Sequence, residues 1–281
     1  MAFHMELPVA KSSYEATADV LVRAVGRAAV VLGRAAAEPM EIDGAVCFCD
    51  PARPAVRCAN FAAELSVPEG RSAAAVVDDV LAYYESRQAT CEAFASTAAS
   101  WPKALAEELI TRGYEPVTRH LFLLDRAAPP PKAATDLQII PARAAYEELR
   151  KLYGEMARLE HGADGVLASA LVEAWIDHLD EPRFDLLLGR AKAEPVVVAG
   201  VLSLGQVGVI SAAYCHPSWR GRGFAQAIMG RVLEYCSRAT FEQIIVDRGA
   251  GCPAIPFYES LGFHKKASFV RFKRREQPST S

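Results

Sequence analysis

The 281 residues are 51% apolar and 23% charged, enough apolar side chain for one large core or two ordinary ones, which excludes disordered, collagenous and mini-protein classes. Lysines and arginines number 31 against 34 aspartates and glutamates, a formal net charge of -3, so no global basic field is present to hold a nucleic-acid backbone. The seven cysteines, Cys47, Cys49, Cys58, Cys91, Cys215, Cys236 and Cys252, lie mostly in apolar stretches without CxxC or Cys/His metal spacing, and they read as reduced, buried, cytosolic residues. The first residues, MAFHMELPVAK, lack the basic flank and apolar core of a secretory signal, so the expectation is a cytoplasmic protein.

In chain order, the spacing of apolar residues predicts a helix over Tyr14 to Arg34 and strands over Gly44 to Cys49 and Val56 to Leu65. A helix over Ala73 to Arg87 follows, with Val76, Val77, Val80, Leu81 and Tyr84 periodic, then a strand (Thr90 to Ser96), a helix (Pro102 to Arg112) and a strand (Val117 to Leu124). The segment AAPPPKAATD, residues 127–136, can continue neither a helix nor a central strand, which makes it a linker between a domain of residues 1–126 and one of residues 137–281. The later part begins with a strand (Leu137 to Pro141), two helices (Ala144 to Leu159, Leu167 to Leu179) and a strand (Phe184 to Ala191). Next, Pro195 to Cys215 is apolar enough to raise a membrane-helix question, but Gly205-Gln206 divides it into two strand-length halves, so a hairpin is the better reading. An amphipathic helix follows, carrying Phe224, Ile228, Val232, Leu233 and Cys236 on one side; then come a strand (Phe241 to Asp247), a short helix (Pro253 to Leu261) and a strand (Ala267 to Lys273). The order is mixed α/β with more hairpin pairing than a doubly wound sheet has. The two parts rehearse one order of elements, and the best local match sets LITRGYEPVTRHLFL beside YESLGFHKKASFVRF, each a helix stopped at glycine, an aromatic and a closing strand.

Two features carry chemistry. Between the hairpin and the amphipathic helix lies Cys215-His-Pro-Ser-Trp-Arg-Gly-Arg-Gly-Phe-Ala225, where Gly221 and Gly223 allow a tight turn and the unpaired amides of the helix start point the same way, a geometry that binds phosphate. Arg220 and Arg222 add charge there, or are simply solvated. The second feature, Ala254-Ile-Pro-Phe-Tyr-Glu-Ser-Leu-Gly-Phe263, is a short helix ending at Gly262, in which Tyr258 and Phe263 serve equally well as core aromatics when taken alone.

Together the two features resemble the Gcn5-related N-acetyltransferase (GNAT) superfamily. Its pyrophosphate loop, Arg/Gln-x-x-Gly-x-Gly/Ala, is matched by Arg220-Gly-Arg-Gly-Phe-Ala225, and its Ala-x-x-x-Tyr-x-x-x-Gly-Phe segment by Ala254, Tyr258, Gly262 and Phe263. The resemblance covers residues 137–273 and, taken with the internal repeat, implies tandem GNAT-like domains, each a mixed, mostly antiparallel sheet flanked by helices. It implies that acetyl-CoA lies where two parallel strands splay apart, with its pyrophosphate on Gly221, Arg222, Gly223, Phe224 and Ala225, and its pantetheine along Ala213, Tyr214 and Cys215. Tyr258 then stands where family members carry the acid that protonates the departing thiolate. The chain departs from the family at Gly251-Cys-Pro-Ala254, where relatives often have an asparagine that contacts the CoA arm. The base stays open among Glu160, His161, Glu173, Asp177, His178, His216, Asp247 and a water relay. Cys252 and the Cys47-x-Cys49 pair read as structural.

At the first part's counterpart of the loop, Ser66-Val-Pro-Glu-Gly-Arg-Ser72, an acid and a proline replace bare amides, so residues 1–126 are expected to form a degenerate GNAT-like domain without a CoA site. The function that follows is acetyl-CoA-dependent N-acetyl transfer to a small-molecule or peptide amine, without metal, nucleic acid or membrane partner and with oligomerisation open. The alternatives are a non-catalytic acyl-CoA-binding or assembly module and a binder of another nucleotide; the absence of Lys-Ser/Thr after the glycines weakens the last.

Overall fold

The structure, a computed structural model, describes residues 17–95, 101–125 and 136–275. The first half runs α1 (Ala18–Ala36), β1 (Pro39–Ile42), β2 (Ala45–Phe48), β3 (Phe61–Ala63), α2 (Ala73–Ser86), β4 (Ala93–Phe94), α3 (Lys103–Thr111) and β5 (Tyr114–Leu124). The second runs β6 (Gln138–Pro141), α4 (Tyr146–His161), α5 (Gly165–Asp177), β7 (Phe184–Ala191), β8 (Glu194–Leu204), β9 (Val207–Cys215), α6 (Phe224–Arg238), β10 (Gln243–Gly249), α7 (Ile255–Ser260) and β11 (Phe263–Arg274). The expected elements are present, and the hairpin turns at Gly205-Gln206.

Two expected strands are shorter than the sequence implies, the first for an identifiable reason. Residues 56–60, expected to open a strand, turn instead, because the buried Asn60 side chain accepts from the Asp50 N–H at 2.9 Å and donates to the carbonyls of Arg53 and Val56, so the strand shrinks to Phe61–Ala63. The strand expected from Thr90 is confined to Ala93–Phe94, and Ser96 falls outside the described residues. Most of the proline-rich linker also falls outside them.

The eleven strands of the described residues form one sheet in the order β1-β2-β3-β4-β11-β5-β10-β9-β8-β7-β6. Among them only β3–β4 and β9–β10 pair in parallel, one pair per half, and each is bridged by a helix, α2 or α6. The two closing strands have changed places across the middle: β11 sits between β4 and β5, and β5 sits between β11 and β10. They pair antiparallel along their whole length, from Phe263↔Leu124 to Arg274↔Tyr114. The two segments matched in the sequence are therefore hydrogen-bonded to each other, and the sheet is continuous across the expected domain boundary.

α1 reinforces that join. Leu21, Val22, Val25 and Ala28 enter the core formed by Leu149, Tyr153, Val209, Ile245 and Phe269 of the second half. On its other side Val30 meets Phe48 and Phe61, whose rings stack at 4.8 Å. Gly33 permits that approach, since a Cβ there would lie 2.8 Å from the Phe61 ring. The opposite sheet face carries α6 and α7 over Val201, Ile210, Ile244 and Val246. No helix among the described residues is long and apolar enough to cross a membrane.

Because β5 is an interior strand and α1 a core helix of the second half, a chain beginning at residue 137 is expected to be unfolded or aggregated by circular dichroism. In the whole chain, Leu121→Ala is expected to lower stability by about 3 kcal/mol, read from the urea midpoint, with Trp101 and Trp175 fluorescence changing in one shared transition.

Candidate functional site

β9 and β10 are paired from Val207↔Gln243 only as far as Ile210↔Val246. Beyond that point β9 stays on β8, but Ala212 and Ala213 stand opposite the single Ala199, a bulge in which Ala212 takes a left-handed φ of 53°. The bulge turns β9 away and leaves its β10-side edge open from Ser211 to Cys215. The His216 N–H donates to Val196 on β8, so strand alternation turns the Cys215 N–H to the open edge.

The loop after β9 ends at this opening. His216 Nδ1 accepts from the Ser218 N–H at 3.2 Å, and residues Pro217–Trp219 make one 3-10 turn. Gly221 and Gly223 follow with φ of 76° and 80°, a conformation in which a side chain is strained. Space beside Gly221 is empty where a Cβ would project. Gly223 is the N-cap of α6 and supplies no side-chain acceptor, and the first turn of α6 holds no acid, so the helix start is left bare. The first half offers a contrast. There Ser72 Oγ accepts from the Ala75 N–H at 3.1 Å and closes the start of α2, while Arg71 is taken by Asp79 at 2.6 Å and Asp43 at 3.3 Å.

The two arginines of the second-half loop are braced. Arg220 Nε donates to the Cys215 carbonyl at 3.0 Å and its guanidinium pairs with Glu160, and Arg222 lies 4.7 Å over the Trp219 ring. Phe224 begins α6 and is buried in the core on its sheet side, and Ala225 follows in the first turn. Burial raises the pKa of the Cys215 thiol, so it is protonated and a poor nucleophile. Tyr214 is 8% exposed, and its hydroxyl is buried without a hydrogen-bond partner among the described residues. Burial, helped by Glu160, pushes it up to about 12, so it is a proton-bearing group.

Tyr258 is 2% exposed, in edge contact with Phe257 and Phe263. Its hydroxyl accepts from Arg248, a neighbour the sequence did not single out. Alternation along β10 is the signal that finds it: Arg248 shares a face with Ile244 and Val246, which pack on the same core as Tyr258. Burial raises the tyrosine pKa while Arg248 opposes the rise, so the phenol carries its proton at neutral pH.

Most candidate bases are occupied. Burial would raise the Asp247 pKa, but Arg271 and Arg119 hold it below the usual carboxylate value, and Arg119 Nε lies 2.5 Å from the carboxylate. Glu173 pairs with Arg150, Asp177 with Arg53 at 2.7 Å, and Glu160 with Arg220. His216 Nε2 lies 3.2 Å from Glu155, a partner the sequence did not flag. His161 packs on Trp175 with ring centres 5.5 Å apart, and burial lowers its pKa. Burial and Arg53 lower that of His178 to about 4. No group of three or more His, Cys, Asp and Glu that could hold a metal ion occurs among the described residues. Cys47 is buried and pushed up to about 12, and Cys252 is a half-buried free thiol.

A cleft of about 810 Å³ lies on the sheet face of Asp247 and Tyr214, lined from both halves. It borders the opening between β9 and β10 in two places, through Glu160 to Arg220 and through Arg119 to Asp247.

Residues 163–274 match the family model of the acetyltransferase (GNAT) domain. Comparison with curated proteins found no match. Among solved structures, a GCN5-related N-acetyltransferase from Kribbella flavida superposes with a TM-score of 0.59 at 13% identity, covering 92% of this chain and 96% of that one. One from Sphaerobacter thermophilus gives 0.53 at 17% identity, covering 85% and 80%. A tandem GNAT protein from the clavulanic acid biosynthesis pathway gives 0.50 at 14% identity, covering 78% and 76%. At these identities the likeness is one of fold.

A neutral, half-buried His178 makes stability depend on acidity. With its folded pKa below its unfolded one, the unfolded chain binds the extra proton, so the contribution is full above pH about 6.5 and is lost as pH falls towards about 4. His178→Gln is expected to recover about 3 kcal/mol of that acid-side loss, measured as the difference in thermal midpoint slopes between pH 7 and pH 4.

Proposed function

We propose that this chain, whose residues 163–274 form an acetyltransferase (GNAT) domain, transfers the acetyl group of acetyl-CoA to an amine of a small molecule or peptide. The observation that carries this reading is the bare start of α6 behind the open edge of β9. Space beside Gly221 is open and Gly223 caps α6 without a side chain, so the loop's amides adjoin an uncapped helix N-terminus, a combination suited to a diphosphate. The edge at Ala213 to Cys215 offers main-chain groups to an extended amide-bearing arm, as an added strand would.

A bound CoA thioester supplies an acyl carbon already activated toward an amine. The chain's own part is then modest. The loop and the strand edge fix the donor, and the Cys215 N–H lies where it can polarise a carbonyl oxygen at the opening. Tyr258 holds a proton that Arg248 makes easier to release, since the guanidinium stabilises the phenolate left behind. Through Glu160 the same loop is tied to the wall of the cleft, which is the natural place for the amine. The first half, with Ser72 closing α2, is assigned no donor site, and its role is to complete the sheet and the cleft.

Gly223→Glu is expected to weaken coenzyme A binding by about a hundredfold or more in calorimetry while the circular dichroism spectrum stays unchanged. Gly223→Ala serves as the control for backbone strain of roughly 1 kcal/mol. Undiminished affinity in the glutamate variant would place the donor elsewhere. Tyr258→Phe is expected to lower kcat for thiol release on an amine panel by about 10²-fold with little change in coenzyme A affinity. Tight coenzyme A binding with no thiol release from any amine would leave the non-catalytic binding module as the function.

A further inference from the structure

We infer that the cleft between the halves receives an amine that also carries a carboxylate, with Arg57 and Arg271 taking the carboxylate while the amine faces the β9–β10 opening. The inference rests on the transferase reading for the word acceptor, and on the cleft itself for its charge.

Its cations outnumber the carboxylates that hold them. Lys273 is matched by Glu115 at 2.7 Å, and Glu160 is turned outward to Arg220. Arg119 and Arg271, however, share one carboxylate: Arg119 lies 2.5 Å from Asp247, and Arg271 only 3.5 Å from the same oxygen. The Nε of Arg271 is buried with no hydrogen-bond partner among the described residues, a donor that a ligand oxygen would satisfy. Arg57, an exposed residue of the lining, makes no ion pair among the described residues; Glu92 and Glu115 feel its charge, but Glu92 pairs with Arg274 at 3.7 Å and Glu115 with Lys273. Of the two imidazoles lining this region, His178 is lowered to about 4 by desolvation and Arg53, and His161 is lowered by desolvation and, against Glu160, by Arg57, so the arginines supply the positive charge. A fixed excess of guanidinium in a partly enclosed cleft favours a planar anion, for which arginine forks are suited.

The remaining walls limit what else the molecule carries. Trp175, Phe61 and Leu171 add apolar surface to the same lining, suited to an aromatic or aliphatic body. A polyamine is disfavoured, because a second ammonium would sit against Arg57 or Arg271. Both halves contribute: Arg57 precedes β3 in the first, Arg271 lies on β11, and Trp175 on α5.

The test is calorimetric and needs no acyl donor: phenylalanine is titrated against phenethylamine, and leucine against isoamylamine, each pair differing only in the carboxylate. The unaltered protein is expected to bind the carboxylated member of at least one pair about tenfold more tightly, and Arg57→Ala and Arg271→Gln are expected to erase that ratio while leaving the decarboxylated amine unaffected. Should Arg271→Gln fail to fold by circular dichroism, Arg57→Ala, on an exposed segment, decides the matter. Equal binding within both pairs, preference for the decarboxylated amines, no binding by any of the four, or a ratio that survives Arg57→Ala overturns the inference. Coenzyme A, titrated separately, reports on the donor site: its binding without carboxylate discrimination removes only this inference, and carboxylate discrimination without its binding removes the transferase reading and leaves the anion site.

Discussion

The antiparallel ladder between β5 and β11 is the interaction on which the rest of this molecule depends. Each of these strands closes the other half's sheet, so neither half has a complete set of main-chain partners of its own. A strand lost from the middle of a sheet leaves two rows of N–H and C=O groups unpaired, a far larger penalty than a lost edge. α1 adds apolar burial to the same join, with Leu21 and Val25 inside the second half's core. The ladder also fixes where charges meet, because Arg119 comes from β5 and Arg271 from β11, and both reach Asp247 on β10. An electrostatic cluster at the edge of the cleft is thus a consequence of strand exchange.

The opening between β9 and β10 is built on a different principle, the controlled failure of pairing. Parallel hydrogen bonding stops after Ile210↔Val246, and the bulge at Ala212-Ala213 bends β9 out of register with β8. What remains is an unpaired edge next to an uncapped helix, two kinds of unsatisfied main-chain donor in one place. The first half keeps the matching parallel pair, β3–β4, and the matching helix, α2, yet Ser72 and the Arg71 ion pairs close the equivalent position. One pattern of elements therefore carries an exposed cradle in one copy and a closed cap in the other, and the difference lies in a few side chains.

Much of this was legible in the sequence because it is set by local geometry. Gly205-Gln206 read as a turn between two apolar strands, the period of Phe224, Ile228 and Val232 as a helix on a sheet, and Gly221 and Gly223 as a tight turn. The match of LITRGYEPVTRHLFL with YESLGFHKKASFVRF pointed to the repeat. It gave no sign that these two segments pair with each other, since hydrogen-bond partners far apart in sequence leave no periodic trace. Residues 56–60 misled because the turn there depends on Asn60, one buried amide that satisfies three main-chain groups, which composition does not reveal.

By itself, then, the chain determined its helices, its hairpin, its glycine turn and the resemblance carried by Arg220 to Ala225 with Ala254 to Phe263, all properties of neighbours within a few residues. Tertiary structure alone decided the exchange of closing strands, the capture of Arg220 by Glu160, the Arg248 contact to Tyr258 and the shared cleft with its surplus of guanidinium. The physical reason is that charges and hydrogen-bonding groups act over a few ångströms of space, and the fold sets which distant residues come that close.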